Sequence, residues 1–372
     1  MMQKRQIYLD HNATTQLRPE AMAAISSVLS ETGNASSPHA HGRQARKHIE
    51  TARKVLADCL DVSSGQVFFN SGATEGNNTI LKGYYQTQPD KKILVGATEH
   101  ASVVDCGIPS EKIRVLPSGL IDLDDLAEKV KNSPCSLVSV MLVNNETGII
   151  QPVSDIAKLV HDHGAKFHCD AVQAFGRIDI KREVIGADFI TLSAHKIGGP
   201  QGVGALIVAP NSTVPKLLEG GGQERRSRAG TENVAGIAGF GAAASAAYKN
   251  ISSFQTLLIL REQIEDCLRL SNHTEIIGLG ADRVTNTISC IIDGVKSETL
   301  LMAFDIEGIS LSSGSACSSG TVKFSHVLKA MGYEEIPDRA ALRISLGWTS
   351  TQNDVDEFIT VWNNLRTRLL KE

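Results

Sequence analysis

Cys317 sits in LSSGSACSSG, a run of serine and glycine that offers a thiol nothing to pack against. A cysteine kept for its bulk belongs in an apolar core. One placed where backbone freedom is high is suited to moving and reacting instead. Attack by sulfur needs the thiolate, and an unperturbed thiol of pKa ~8.5 supplies only a few per cent of it at pH 7. Lys196 offers a second chemistry. It follows the apolar run DFITLS and precedes Gly198 and Gly199. Such a run leads to the carboxyl edge of a sheet, where open α/β folds bind ligands. A desolvated lysine there can form a Schiff base, whereas an exposed one would simply open a loop.

Two further groups extend the lysine's chemistry. Asp170 closes the run AKFHCD, with Gln173 just after it in AVQ. A carboxylate at that edge could hold a protonated ring nitrogen, or merely cap a helix. Upstream, QVFFNSGATEGNN reads as strand, turn and helix. Its N–H groups at Gly72, Ala73 and Thr74, with the Thr74 hydroxyl, would suit a phosphate, and an ordinary βα loop is the alternative. GGPQGVG after the lysine has neither the dinucleotide nor the Walker spacing. Lysine, carboxylate and phosphate cup in one domain together describe pyridoxal phosphate.

The elements that must position these groups follow from periodicity. Short apolar runs (QVFF, ILVGA, IRVL, LVSVMLV, KFHC, DFITLS and VGALIVA) alternate with helical patterns from about residue 50 to 210. Several are apolar throughout, as strands covered on both faces are. SDIAKLVHDHG reads as a helix with Ser154 as N-cap and Gly164 as stop. Its His161 and His163 are two apart and so are left on a solvated face. The expectation is an α/β fold with a mostly parallel sheet, residues 15–255, and a smaller α+β domain of 1–14 plus 256–372. In the latter we expect a helix from Phe254 to Leu270, a strand NTISCIID and a helix from Ser325 to a stop at Gly332. In ALRISLGW, Leu342, Ile344 and Leu346 face a core, so Arg343 points the other way, into solvent or a cleft.

The 372 residues are 42% hydrophobic and 21% charged, with a net charge of −4. That balance argues against a partner held by phosphate contacts, so no nucleic acid is expected. No stretch reaches the length of a membrane span and the start lacks a secretory apolar region, giving a cytoplasmic expectation with no membrane partner. Seven cysteines, odd in number and without a CxxC pair, argue against disulfides and against a structural metal.

NSGATEGNN, ATEHASV, VNNETG, DAVQ, SAHK, RAGTEN and SSGSACSSG occur in that order over nearly the whole chain. This series resembles the cysteine desulfurases of the class V aminotransferase fold. The long Ser/Gly loop before SHVLKAMG is similar to the subgroup serving iron–sulfur cluster and nitrogenase maturation. The resemblance implies pyridoxal 5'-phosphate carried on Lys196, with Asp170 at its ring nitrogen and Gln173 donating to its ring oxygen. Ala73, Thr74, Ser193 and His195 would hold the phosphate. Thr231 would reach the neighbouring subunit's phosphate, which implies a homodimer. His100 would stack on the ring and carry protons, Asn145 would lie beside ring and substrate, and Arg343 would grip the carboxylate of L-cysteine. Cys317 would take the sulfur as a persulfide, pass it to an acceptor or cluster-scaffold protein, and could ligate an iron–sulfur cluster transiently.

Some residues depart from that subgroup: DHNATT at the start, Ala35 and Pro38 in GNASSPH, and Ala229. The end at Glu372, soon after the terminal helix, turns the expectation away from the usual scaffold. A selenocysteine lyase or another transferase of the same fold is the nearest rival. A non-catalytic scaffold would have no use for Lys196, His100 and Cys317 together.

Overall fold

The structure is a computed structural model describing residues 5–313 and 324–370. The chain opens with a two-residue strand, β1 (Ile7–Tyr8), and then builds its main sheet from β2 (Val67–Asn70), β3 (Lys92–Gly96), β4 (Glu111–Ile113), β5 (Cys135–Ser139), β6 (Lys166–Asp170), β7 (Phe189–Ser193) and β8 (Gly204–Val208). Their order across the sheet is β2-β8-β7-β6-β5-β3-β4. Pairings from β7 to β4 are parallel, and β8 runs antiparallel to both its neighbours. Every residue of β5, β7 and β8 is buried, because helices cover both faces.

A second sheet, of order β12-β10-β9, joins β9 (Thr274–Ile276), β10 (Thr287–Asp293) and β12 (Arg339–Ser345) antiparallel. The short β11 (Ile309–Ser310) pairs parallel with β1. Ile7 and Leu9 therefore share a core with Leu257, Ile264, Phe358 and Trp362, residues hundreds of positions away. In that core Phe304 and Phe358 stack with centroids 5.5 Å apart.

Several boundaries differ from expectation for local reasons. The run IRVL yields only the end of β4, because β3 pairs no further than Gly96 with Ile113. LVSVMLV stops being regular after Ser139: beyond the end of β3, the N–H of Met141 donates to Glu99 Oε1 at 2.7 Å instead of to a strand. The helix Val153–Asp162 starts before Ser154, with Pro152 at its N-cap. Phe254 to Leu270 divides into helices Ile251–Gln255 and Leu257–Arg269. His161 is not simply solvated, for its Nε2 lies 2.9 Å from Asp188 Oδ2. Ser325 does cap its helix, accepting from the N–H groups of Val327 and Leu328.

Candidate active site

β6 and β7 run parallel with Asp170 opposite Thr191, so both strands end at one edge of the sheet. β7 then passes through Ser193 into the tight turn Ala194–Lys196. The helix Ala73–Thr87 begins beside them after Gly72, whose φ of 149° turns the chain sharply. A Cβ on Gly204 opposite would fall 2.7 Å from the Gly72 Cα, so only glycine fits the facing strand. Among these elements opens a cleft of about 1180 Å³. Its large-sheet wall carries Ala73, Thr74, Asp170, Gln173, Ser193 and His195. Lys196 and His100 also line it, and Asn145 and Arg343 close the far side.

Asp170 is fixed on both oxygens: Oδ2 accepts from Asn77 Nδ2 at 2.8 Å and Oδ1 from the N–H of Val172 at 3.0 Å. It is thus both a turn-former and a carboxylate held at the cleft. Lys196 Nζ donates to the carbonyls of Asn12 and Ala13, each at 2.6 Å. Burial, then the charges of Arg177 and Arg343, bring its pKa down to about 7. His100 caps the short helix Ala101–Val104, its Nδ1 accepting from the N–H of Ser102 at 3.1 Å. That bond leaves the proton of the neutral ring on Nε2. Burial lowers the pKa of His100, with Asp170 opposing and Lys196 and His326 reinforcing. His195 Nδ1 lies 3.2 Å from Thr14 Oγ1, and burial with the Lys196 charge lowers its pKa to about 4.

Arg343 points into the cleft rather than to solvent. Its Nη2 meets Asp10 Oδ1 at 2.6 Å and its Nη1 donates to the Asn145 carbonyl at 3.1 Å. Its Nε is buried with no partner among the described residues. The cup at the helix start is smaller than expected, because the N–H of Gly72 is spent on Asn70 Oδ1 at 3.1 Å. Ala73 and Thr74 remain in the first turn, where N–H groups lack helical acceptors. Thr231 is exposed and does not line the cleft. Cys317 lies outside the described residues.

Asn12, which sequence reasoning passed over, ties the site together. Its Nδ2 donates to the Asn145 carbonyl and to Thr287 Oγ1, and its Oδ1 accepts from Arg177 and Asn286. Its carbonyl receives Gln173 Nε2 as well as Lys196. His326 and Glu146 were missed too. Both line the cleft, and Ser325 Oγ donates to Glu146 Oε2 at 2.5 Å.

The aminotransferase class-V family model matches residues 7–358. The chain belongs to the class-V aminotransferase family. The cysteine desulfurase IscS of Dictyoglomus turgidum is 36% identical over 98% of this chain and 96% of its own length. The IscS enzyme of Methanosarcina thermophila is 35% identical over 96% of this chain and 91% of its own. A solved NifS-like protein from Rickettsia africae superposes with a TM-score of 0.90 at 39% identity, covering 97% of this chain and 99% of that one. This class-V chain is a pyridoxal-phosphate enzyme, and its cleft fits that group. The donor expected of Gln173 is engaged here, its Nε2 resting on the Asn12 carbonyl at 3.0 Å, while its buried Oε1 has no partner among the described residues and leaves the amide a polar atom to offer a bound ring. Asp170 is a fixed acceptor for a ring nitrogen, and the amine of Lys196, brought down to about 7 by burial first, has a substantial uncharged share at pH 7.

Proposed function

We infer that this class-V enzyme is a cysteine desulfurase, taking sulfur from L-cysteine and leaving L-alanine. One observation carries the reading: the amine of Lys196, a carboxylate at Asp170 fixed on both oxygens and the guanidinium of Arg343 share one cleft. Pyridoxal phosphate, when bound, supplies an electron sink for the carbon that loses its α-proton. Lys196, Asp170 and Gln173 would hold its ring, with Ala73, Thr74, Ser193 and His195 around its phosphate. Lys196 moves the α-proton at Nζ, which a neutral amine can accept near pH 7. Arg343 binds the α-carboxylate as a fork, and Asp10 keeps the guanidinium in place. His100 presents its Nε2 proton to the cleft.

Cys317 is proposed as the sulfur acceptor. A carbon–sulfur bond breaks and a sulfur–sulfur bond forms. The substrate carbon gains a proton and becomes the methyl of alanine, while the transferred sulfur is oxidised to the sulfane level. No outside oxidant is needed. Passage of that sulfur to an acceptor or iron–sulfur scaffold protein, a homodimer with Thr231 reaching across, and a cytoplasmic setting belong to the same proposal. So does the division at about residue 255, which the separate core around Trp362 supports. With L-cysteine and a thiol reductant, the holoenzyme is expected to form alanine and sulfide. Cys317→Ala should lose both while keeping its yellow cofactor. Alanine at the original rate in that variant would remove Cys317 from the reaction, and none from the parent enzyme would overturn the activity.

A further inference from the structure

Arg177 lies in the turn after β6 and is only 3% exposed. Buried arginines are ordinarily matched by a carboxylate, because desolvating an unpaired charge is costly. Arg177 makes no ion pair among the described residues. Its Nη1 donates to Asn12 Oδ1 at 2.6 Å. Across that same asparagine, Lys196 Nζ rests on the backbone carbonyl, also at 2.6 Å. The Arg177 guanidinium and the Lys196 side chain further line one small chamber of about 10 Å³, with His11, Trp348 and a second guanidinium, Arg18, around it. Arg177 does not line the open cleft, so any part it plays acts through its neighbour.

We propose that Arg177 is a charge-setting residue for Lys196: its guanidinium, fixed behind the amine by Asn12, disfavours the ammonium and keeps Nζ ready to bond or to take a proton. A cationic neighbour is one of the general ways to activate a lysine. The other groups facing the amine have defined senses. Arg343 on β12 acts with Arg177, whereas Asp10 and Asp170 act against it. His195 on the same turn and His11 beside the chamber are held near 4 by burial first, so they add no charge at neutrality. Arg177 itself falls to about 9 through burial and the charge of Arg343, and still carries its proton at pH 7.

The inference rests on Lys196 as the cofactor-bearing residue, but its test uses the cofactor-free chain. The pH dependence of trinitrophenylation at Lys196, read by peptide mass spectrometry, reports the amine directly. Arg177→Gln keeps an N–H for Asn12 and removes the charge. Its midpoint should rise by about one pH unit, slowing reaction at neutral pH about fivefold. Arg177→Lys keeps the charge and should leave the midpoint in place. An unchanged midpoint in Arg177→Gln, or an equal rise in both variants, overturns the proposal. Should Arg177→Gln not fold, Arg177→Met removes the charge with a side chain of similar reach: a raised midpoint supports the role and a parental one overturns it. Borohydride reduction of the loaded enzyme separately finds whether the cofactor sits on Lys196. A coupled amine without cofactor there would fail that reading and leave the charge effect standing.

Discussion

Two buried arginines of this molecule are held in opposite ways. Arg53, in the helix Ala40–Leu60, sets Nη1 and Nη2 on the two oxygens of Glu224 at 2.8 and 2.9 Å. Burial alone would pull its pKa down, yet Glu224 and Glu50 hold it above the usual value. Arg177, by contrast, is lowered by burial and by a second arginine. The first pair fastens a strained segment: Glu224, Arg225 and Arg226 have φ of 43°, 55° and 66°, a region that side chains rarely adopt. The second cation fastens little and repels its neighbour. A buried charge with its counter-ion fixes shape, and one without it sets the protonation of what lies next to it.

The largest effect is expected from Glu224→Ala, which removes the buried partner of Arg53 and leaves it only the half-exposed Glu50 as counter-ion. Loss of one partner of a buried pair costs about 3–5 kcal/mol, read as a lowered melting temperature. A cost below about 1 kcal/mol would deny the pair its anchoring role. Next comes pH, on the side where bases are kept neutral. The pKa values of His11 and His195 lie at about 4 in the folded chain against 6.5 as the ordinary value. Between those values the unfolded chain binds more protons, so stability falls as pH drops from 6.5 towards 4. Lys196 acts likewise between 10.5 and about 7 in the cofactor-free chain. Urea titrations across both windows check the sign.

Arg226→Gly should stabilise by about 1 kcal/mol, since glycine adopts φ of 66° without strain. The smallest effect sharpens the contrast most. Arg177→Gln should move stability by less than about 1 kcal/mol, because the charge it removes has no partner to strand. A loss as large as that of Glu224→Ala would make Arg177 structural.

The groups that act at the sheet edge were legible because each follows its own strand: Asp170 after KFHC and Lys196 after FITLS need only local pattern to be placed. The alternation around Arg343 likewise gave its side but not its destination. Asn12 and Arg177 were not legible. Their bond spans 165 positions, and Asn12 meets Asn286 across 274, so no window of sequence contains both partners. The free N–H expected at Gly72 failed for a nearer reason, since an asparagine two residues back claims it.

The seat of Asn12 has a consequence for how the enzyme comes into being. Its hydroxyl and amide partners, Ser345, Thr287 and Asn286, leave the ribosome long after it does. The last of the bonds that seat the lysine's cradle therefore form only near the end of synthesis, after Gln173, Arg177 and Lys196 are already out.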